Sequence, residues 1–189
     1  LKEKILEVGA DKIAAFIAEP VQGAGGVIIP PDGYFDHIQK ICNEFEILFI
    51  ADEVITGFGR TGNWFASQTM NLKPDVVTLA KGLTSGYMPM SAVLVGNKIA
   101  EHLINEGGEF YHGFTYSGHP VSAAVALANL ELIETEGLIG RVRDITAPYL
   151  ANAIKQLDSH PLVGETRSFG LLACIELVKH KSGPVLFEP

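Results

Sequence analysis

Short apolar runs alternate with stretches of helical periodicity along most of this chain, and that alternation narrows the possible folds more than any other feature. Ile13 to Ala18 (IAAFIA) is an apolar run. Residues 32 to 46 then place Phe35, Ile38, Ile41, Cys42 and Phe45 at helical spacing behind an Asp32 cap, and Ile47 to Ala51 (ILFIA) is apolar again. This pattern predicts a βαβ unit. A second round follows: Val76 to Ala80 and Ser91 to Val95 read as strands, Asn97 caps a helix to about Ile104, and Pro120 to about Glu134 reads as an Ala-rich helix. The expectation is an α/β fold with a mostly parallel sheet covered by helices on both faces.

The last third follows another pattern. Leu138 to about Leu157 reads as a long amphipathic helix interrupted by Pro148, and Val163 to Thr166 and Leu171 to Val178 read as strands flanking Phe169-Gly170. The Glu136-Gly137 step is the expected boundary, with residues 1–136 part of a large domain and 137–189 the start of a small α+β domain. There are no internal repeats and no low-complexity tracts.

Charge and length then exclude whole classes of function. The 14 Lys and Arg against 22 Asp and Glu give a net charge of −8, the wrong sign for a phosphate-backbone footprint, so no nucleic acid partner is expected. The longest apolar candidate, Val121 to Ile133, is short and interrupted by Asn129 and Glu131, so no membrane span is expected. Cys42 and Cys174 show no metal or redox spacing, which suits a reducing, cytoplasmic compartment. The six histidines show no metal-ligand pattern. The chain opens on Leu1 without a signal-like segment and closes on Glu188-Pro189 soon after a strand-like run, so both ends read as cut from a longer protein.

Three apolar runs end in charge: IAAFIA runs into Glu19, ILFIA into Asp52 and VVTLA into Lys81. In open α/β sheets ligands bind outside the carboxyl ends of the strands. Three parallel neighbours would bring two carboxylates and one amine to one crevice. A lysine amine there can attack a carbonyl, and an aspartate can keep a heteroaromatic nitrogen protonated. These are the parts that pyridoxal phosphate chemistry needs.

Competing motifs fail on context. Gly57-Phe58-Gly59-Arg60-Thr61-Gly62 fits G-x-G-x-x-G, but residues 52 to 56 separate it from the strand and no strong helix follows. Its glycines fit a tight loop needing positive φ. Gly82-Leu83-Thr84-Ser85-Gly86 lacks the spacing of a nucleophile elbow, and Met88 and Met90 read as gap fillers.

Four ordered motifs carry a family resemblance: Glu19-Pro20-Val21-Gln22-Gly23; Asp52-Glu53-Val54 with the glycine stretch 57–62; Ala80-Lys81-Gly82-Leu83; and Thr115-Tyr116-Ser117-Gly118-His119-Pro120. Together they resemble the class III pyridoxal phosphate-dependent aminotransferases over essentially the whole chain. The texture around Gln22 to Val27 and Lys81 to Met90 is similar to the ω-amine or polyamine:pyruvate group.

The resemblance implies a fold type I enzyme working as a homodimer with shared active sites, with pyridoxal 5'-phosphate as cofactor. It implies amino transfer from a primary amine, diamine or ω-amino acid to a keto acid such as pyruvate; an aminomutase, a decarboxylating transaminase or a non-catalytic fragment are the alternatives. By the same resemblance, Lys81 is the Schiff-base lysine and proton carrier, Asp52 the pyridine-nitrogen partner and Val54 the side chain against the ring. Thr115 is implied to hold the cofactor phosphate in the neighbouring subunit, and Glu19 to be a switch that pairs with a C-terminal arginine. Ile55 departs from the family, many of whose members carry a polar Gln there. The phosphate-binding turn and the ring-stacking aromatic are expected upstream of Leu1, so the 189-residue chain is not expected to work alone.

Overall fold

The computed structural model describes residues 1–182 and 185–187; Glu188 and Pro189, which close the expected 137–189 segment, lie outside the described residues. A short helix, α1 (Lys2–Val8), leads into strand β1 (Ala15–Ala18). Helix α2 (Tyr34–Glu44) crosses over to β2 (Leu48–Asp52), and a long loop holding the single-turn helix α3 (Ala66–Thr69) leads to β3 (Val76–Leu79). These three strands are parallel and lie in chain order, β1-β2-β3. β4 (Ala92–Val95) closes the sheet antiparallel to β3. Parallel pairing of β1 and β2 requires a crossover, and α2 supplies it.

The core forms where α2 lies on the sheet. Phe35, Ile38 and Cys42 of α2 are buried against Phe49 and Leu72, with Phe16, Ala18 and Met70 around them. Phe49 sits between Phe16 and Phe35, with ring centroids 6.3 and 5.8 Å away. Burial, and then the nearby Asp75 carboxylate, push the Cys42 thiol pKa up. Asp75 also joins two strands: its Oδ2 accepts the Phe49 N–H at 2.8 Å and its own N–H donates to the Phe49 carbonyl at 2.8 Å.

Several expectations need correction. The sheet is covered by α2 on the Phe49 face, but Ile17, Val93 and Val95 on the opposite face are 56%, 62% and 43% exposed, so the described residues do not supply a second layer there. Asp32 does not cap α2. The chain enters that helix through Gly33 at φ 76, a conformation glycine adopts without strain, and this leaves Asp32 one position too early to reach the orphan amides. Asn97 is the first residue of α4 (Asn97–Asn105), whose cap is Gly96. Gly96 donates its N–H to Asp75 O at 2.7 Å, and a Cβ on it would lie 3.1 Å from that oxygen.

Helix α5 (Pro120–Thr135) starts with Pro120 at its first position, where the missing N–H costs nothing. Gly137, at φ 61, turns the chain into α6 (Leu138–Arg141). The expected long helix stays helical through Pro148 and is distorted in the turn before it. A π-helical stretch over Val142–Thr146 leads into α7 (Ala147–Lys155), because the proline ring and its missing N–H disturb the preceding turn. A second sheet follows, with β5 (Val163–Phe169), β6 (Leu172–His180) and β7 (Val185–Leu186) all antiparallel. No helix among the described residues is long and apolar enough to cross a membrane.

Candidate active site

The strand order decides where the charged residues go. Ala18 pairs with Ala51 and Asp52 with Thr78, so the three parallel strands end side by side. Glu19 follows β1, Asp52 is the last residue of β2, and Lys81 begins a 3-10 turn (Lys81–Leu83) just beyond β3. The structure thus places Glu19, Asp52 and Lys81 along one carboxyl edge, where a crevice ligand of an open α/β sheet binds.

Each of the three is held differently. Asp52 Oδ1 accepts the Val54 N–H at 3.1 Å, a local turn that fixes the carboxylate and leaves Oδ2 for another partner. Val54 itself is half-buried. Thr78, the register partner of Asp52, lies on the same sheet face, and its buried Oγ1 has no hydrogen-bond partner among the described residues. A carboxylate and an orphaned hydroxyl on one face provide a site for a polar ring edge, which fits a pyridine ring better than an apolar ligand. Lys81 is exposed, at φ 40, and among the described residues its amine is engaged by no carboxylate. Glu19 Oε2 accepts the Gly23 N–H at 2.9 Å within a loop closed by the Gln22–Ile28 bridge.

Ile55 has a packing role. A Cβ on Gly23 would come within 2.4 Å of Ile55 Cδ1, so the aliphatic side chain seats the Glu19 loop against the Asp52 loop. Ile55 also lines a cleft of about 600 Å³ with Lys81, Phe58, Arg60, Ile133 and Leu171.

Glu53 was not singled out from the sequence, yet it organises the loop between Asp52 and Lys81. It is wholly buried, and its carboxylate accepts the Ala66 N–H at 2.7 Å, the Ser67 N–H at 2.6 Å and the Thr56 hydroxyl at 2.7 Å. The two amides belong to the first turn of α3, where a negative charge is favoured. Nothing local in the sequence distinguishes Glu53 from a solvated carboxylate, because its partners lie up to 14 positions away.

The glycine stretch is a docking surface for the C-terminal hairpin. Gly59 and Gly62 both adopt φ 88, as the positive-φ expectation required. The added reason is close approach: a Cβ on Gly62 would lie 3.1 Å from Arg143 Cα, and one on Gly170 would lie 2.4 Å from Arg60 O. Leu171 N–H donates to the same Arg60 carbonyl at 2.8 Å. Gly170→Ala, at φ 61 with no room for a methyl group, is expected to cost about 2 kcal/mol or more, read as a lower urea midpoint.

Thr115 stands apart from the cleft. It lies in an exposed turn before α5, among Phe110, Tyr111, Phe114 and Tyr116, which are 66% to 85% exposed. Among the described residues no cluster of His, Cys, Asp and Glu could hold a metal ion.

Known proteins of similar sequence and structure identify the family. The family profile described as aminotransferase class-III matches residues 1–186. A putrescine--pyruvate aminotransferase of Pseudomonas aeruginosa is 59% identical over 181 residues, covering 96% of this chain and 40% of that protein. The gamma aminobutyrate transaminase 1 of Solanum lycopersicum, a mitochondrial protein, is 48% identical over 192 residues, covering all of this chain and 37% of its own length. An (S)-enantioselective ω-transaminase of Thermomicrobium roseum superposes with a TM-score of 0.94 at 49% identity, over all of this chain and 42% of that one. The chain therefore spans about two fifths of the length of the relatives it matches.

Proposed function

The chain belongs to the class III aminotransferases, whose members share the fold type I architecture, and from that premise we propose that the protein containing it moves an amino group from a primary amine or diamine to a keto acid. The observation that carries this reading is the alignment of Asp52 and Lys81 on adjacent carboxyl-terminal strand ends. When bound, pyridoxal phosphate supplies the aldehyde that takes up the amine and the ring that accepts an electron pair from carbon.

The residues of this chain do the rest. Lys81 Nζ would be the attachment point for the cofactor and, when free, the base that takes up and returns a proton at the reacting carbon. Asp52 would keep the proton on the pyridine nitrogen through the oxygen that the Val54 N–H leaves open, its Oδ1 being anchored by that N–H. Val54 would pack on the ring face, and Thr115 would donate its hydroxyl to the phosphate held by a second copy of the chain, which would make a homodimer with shared sites the working unit. The exposed turn that carries Thr115, away from the chain's own cleft, supports that arrangement. Glu19, at the same edge, pairs with a cationic side chain when no substrate carboxylate is present. Residues 1–136 belong to the large cofactor-binding domain and 137–189 to the small one. Two free cysteines fit a cytoplasmic setting.

The donor class rests on the relatives, among them the putrescine--pyruvate aminotransferase. A screen of the full-length enzyme with putrescine, cadaverine, β-alanine, ornithine and 4-aminobutyrate against pyruvate and 2-oxoglutarate tests it. Putrescine or cadaverine with pyruvate is the expected best pair. Exclusive use of 2-oxoglutarate would contradict it.

A further inference from the structure

We propose that Asn129 is a positioning residue that sets the placement of Lys81, an inference that rests on the function proposed above. Lys81 starts its turn at φ 40, a region that a residue with a Cβ occupies only when its surroundings impose it. The bonds inside the turn are too few to impose it: Leu83 N–H to Ala80 O at 3.0 Å, Thr84 N–H to Lys81 O at 3.3 Å and Ser85 N–H to Gly82 O at 3.3 Å.

Beyond these, Thr84 Oγ1 donates to the Met88 carbonyl at 2.6 Å, and the remaining restraints on the residues just after Lys81 come from α5. Asn129 Nδ2 donates to the Gly82 carbonyl at 2.8 Å and to the Leu83 carbonyl at 3.1 Å, while its Oδ1 accepts the Ser85 hydroxyl at 2.7 Å. The carbonyls need the amide nitrogen as donor, which leaves Oδ1 to face the hydroxyl, so one side chain saturates three groups across the residues that follow Lys81. On the other side of Gly82 stands Phe58, whose Cβ would lie 3.0 Å from a Cβ on that glycine. The turn is thus gripped between a 16-residue helix and the glycine loop. Asparagine is a poor helix former inside the apolar run from Val121 to Ile133, so its use there points to the bonds it makes beyond the helix. A catalytic amine displaced by about 1 Å loses rate by about 100-fold, so the grip on this turn bears directly on the reaction.

The test uses the full-length holoenzyme with Asn129→Leu, which keeps the size of the side chain and removes all three bonds without adding charge. A second variant, Ser85→Ala, removes one. For each, the pH titration of the visible cofactor band and the single-turnover rate with an amine donor are measured per bound cofactor, beside the thermal midpoint. Asn129→Leu is expected to slow the single turnover by about 10- to 100-fold and to move the midpoint of the band titration, with the donor KM little changed. Ser85→Ala should move both the same way by less.

A lower thermal midpoint with wild-type titration and rate would make Asn129 merely structural and overturn the proposal. If Asn129→Leu does not fold, a wild-type titration in Ser85→Ala overturns it instead. A wild-type protein that forms no cofactor band refutes the proposed function itself, an outcome distinct from a normal wild-type band with unaffected variants.

Discussion

Replacing Lys81 with alanine in the full-length enzyme is expected to slow the amine half-reaction by about 10⁴-fold, the upper range for losing a positioned proton-transfer group, with loss of covalent attachment added to it. Stability should change by less than about 0.5 kcal/mol, because the side chain is exposed and its amine holds no carboxylate among the described residues. Stopped-flow absorbance with a saturating amine donor, paired with a thermal melt, separates the two. Lys81→Arg keeps the charge but not the nucleophile, and should be as inactive as the alanine variant. A Lys81→Ala enzyme within tenfold of the wild-type rate would remove Lys81 from the chemistry.

The largest effect on stability is expected at Glu53. Glu53→Ala leaves the Ala66 and Ser67 amides and the Thr56 hydroxyl without their acceptor in a fully buried site. Losing one partner of a buried charged network typically costs about 3 to 5 kcal/mol. Glu53→Gln keeps the shape and one acceptor oxygen but turns an amide N–H₂ toward donors, so about half that loss is expected. Urea unfolding reads both. The loop from Asp52 to Asp75 should loosen first, seen as faster hydrogen exchange at Ala66 and Ser67. Equal stability of Glu53→Ala and wild type would mean that the loop is held by something else.

The sequence makes legible what local pattern encodes. Apolar runs ending in Glu19, Asp52 and Lys81 are visible residue by residue, and the helix between the first two predicts their parallel pairing, whereas β3 is reached through a long loop and its parallel place beside β2 is a tertiary fact. The caps are not legible in the same way, because Gly33 and Gly96 answer to backbone geometry and to a contact with Asp75, while Asp32 and Asn97, residue types that rank above glycine as caps, stand beside them. Asn129 is visible only as an interruption of an apolar run, since its partners at 82, 83 and 85 lie more than 40 positions away. Glu53 is hidden for the same reason. The glycines of 57–62 read as suppliers of positive φ, which Gly59 and Gly62 are; the docking of Arg143 on Gly62 and of Gly170 on Arg60 and Thr61 is a tertiary fact.

The central claim is that Lys81 bears the cofactor. Reducing the full-length holoenzyme with borohydride fixes the cofactor to whichever lysine holds it, and fragmentation of the labelled tryptic peptide identifies that residue. The account predicts a single pyridoxyl label on Lys81, in the peptide that runs from Thr61 to Lys98, because the bond between Lys73 and Pro74 resists cleavage and the modified lysine is no longer cut. A label on another lysine, such as Lys98, would contradict it.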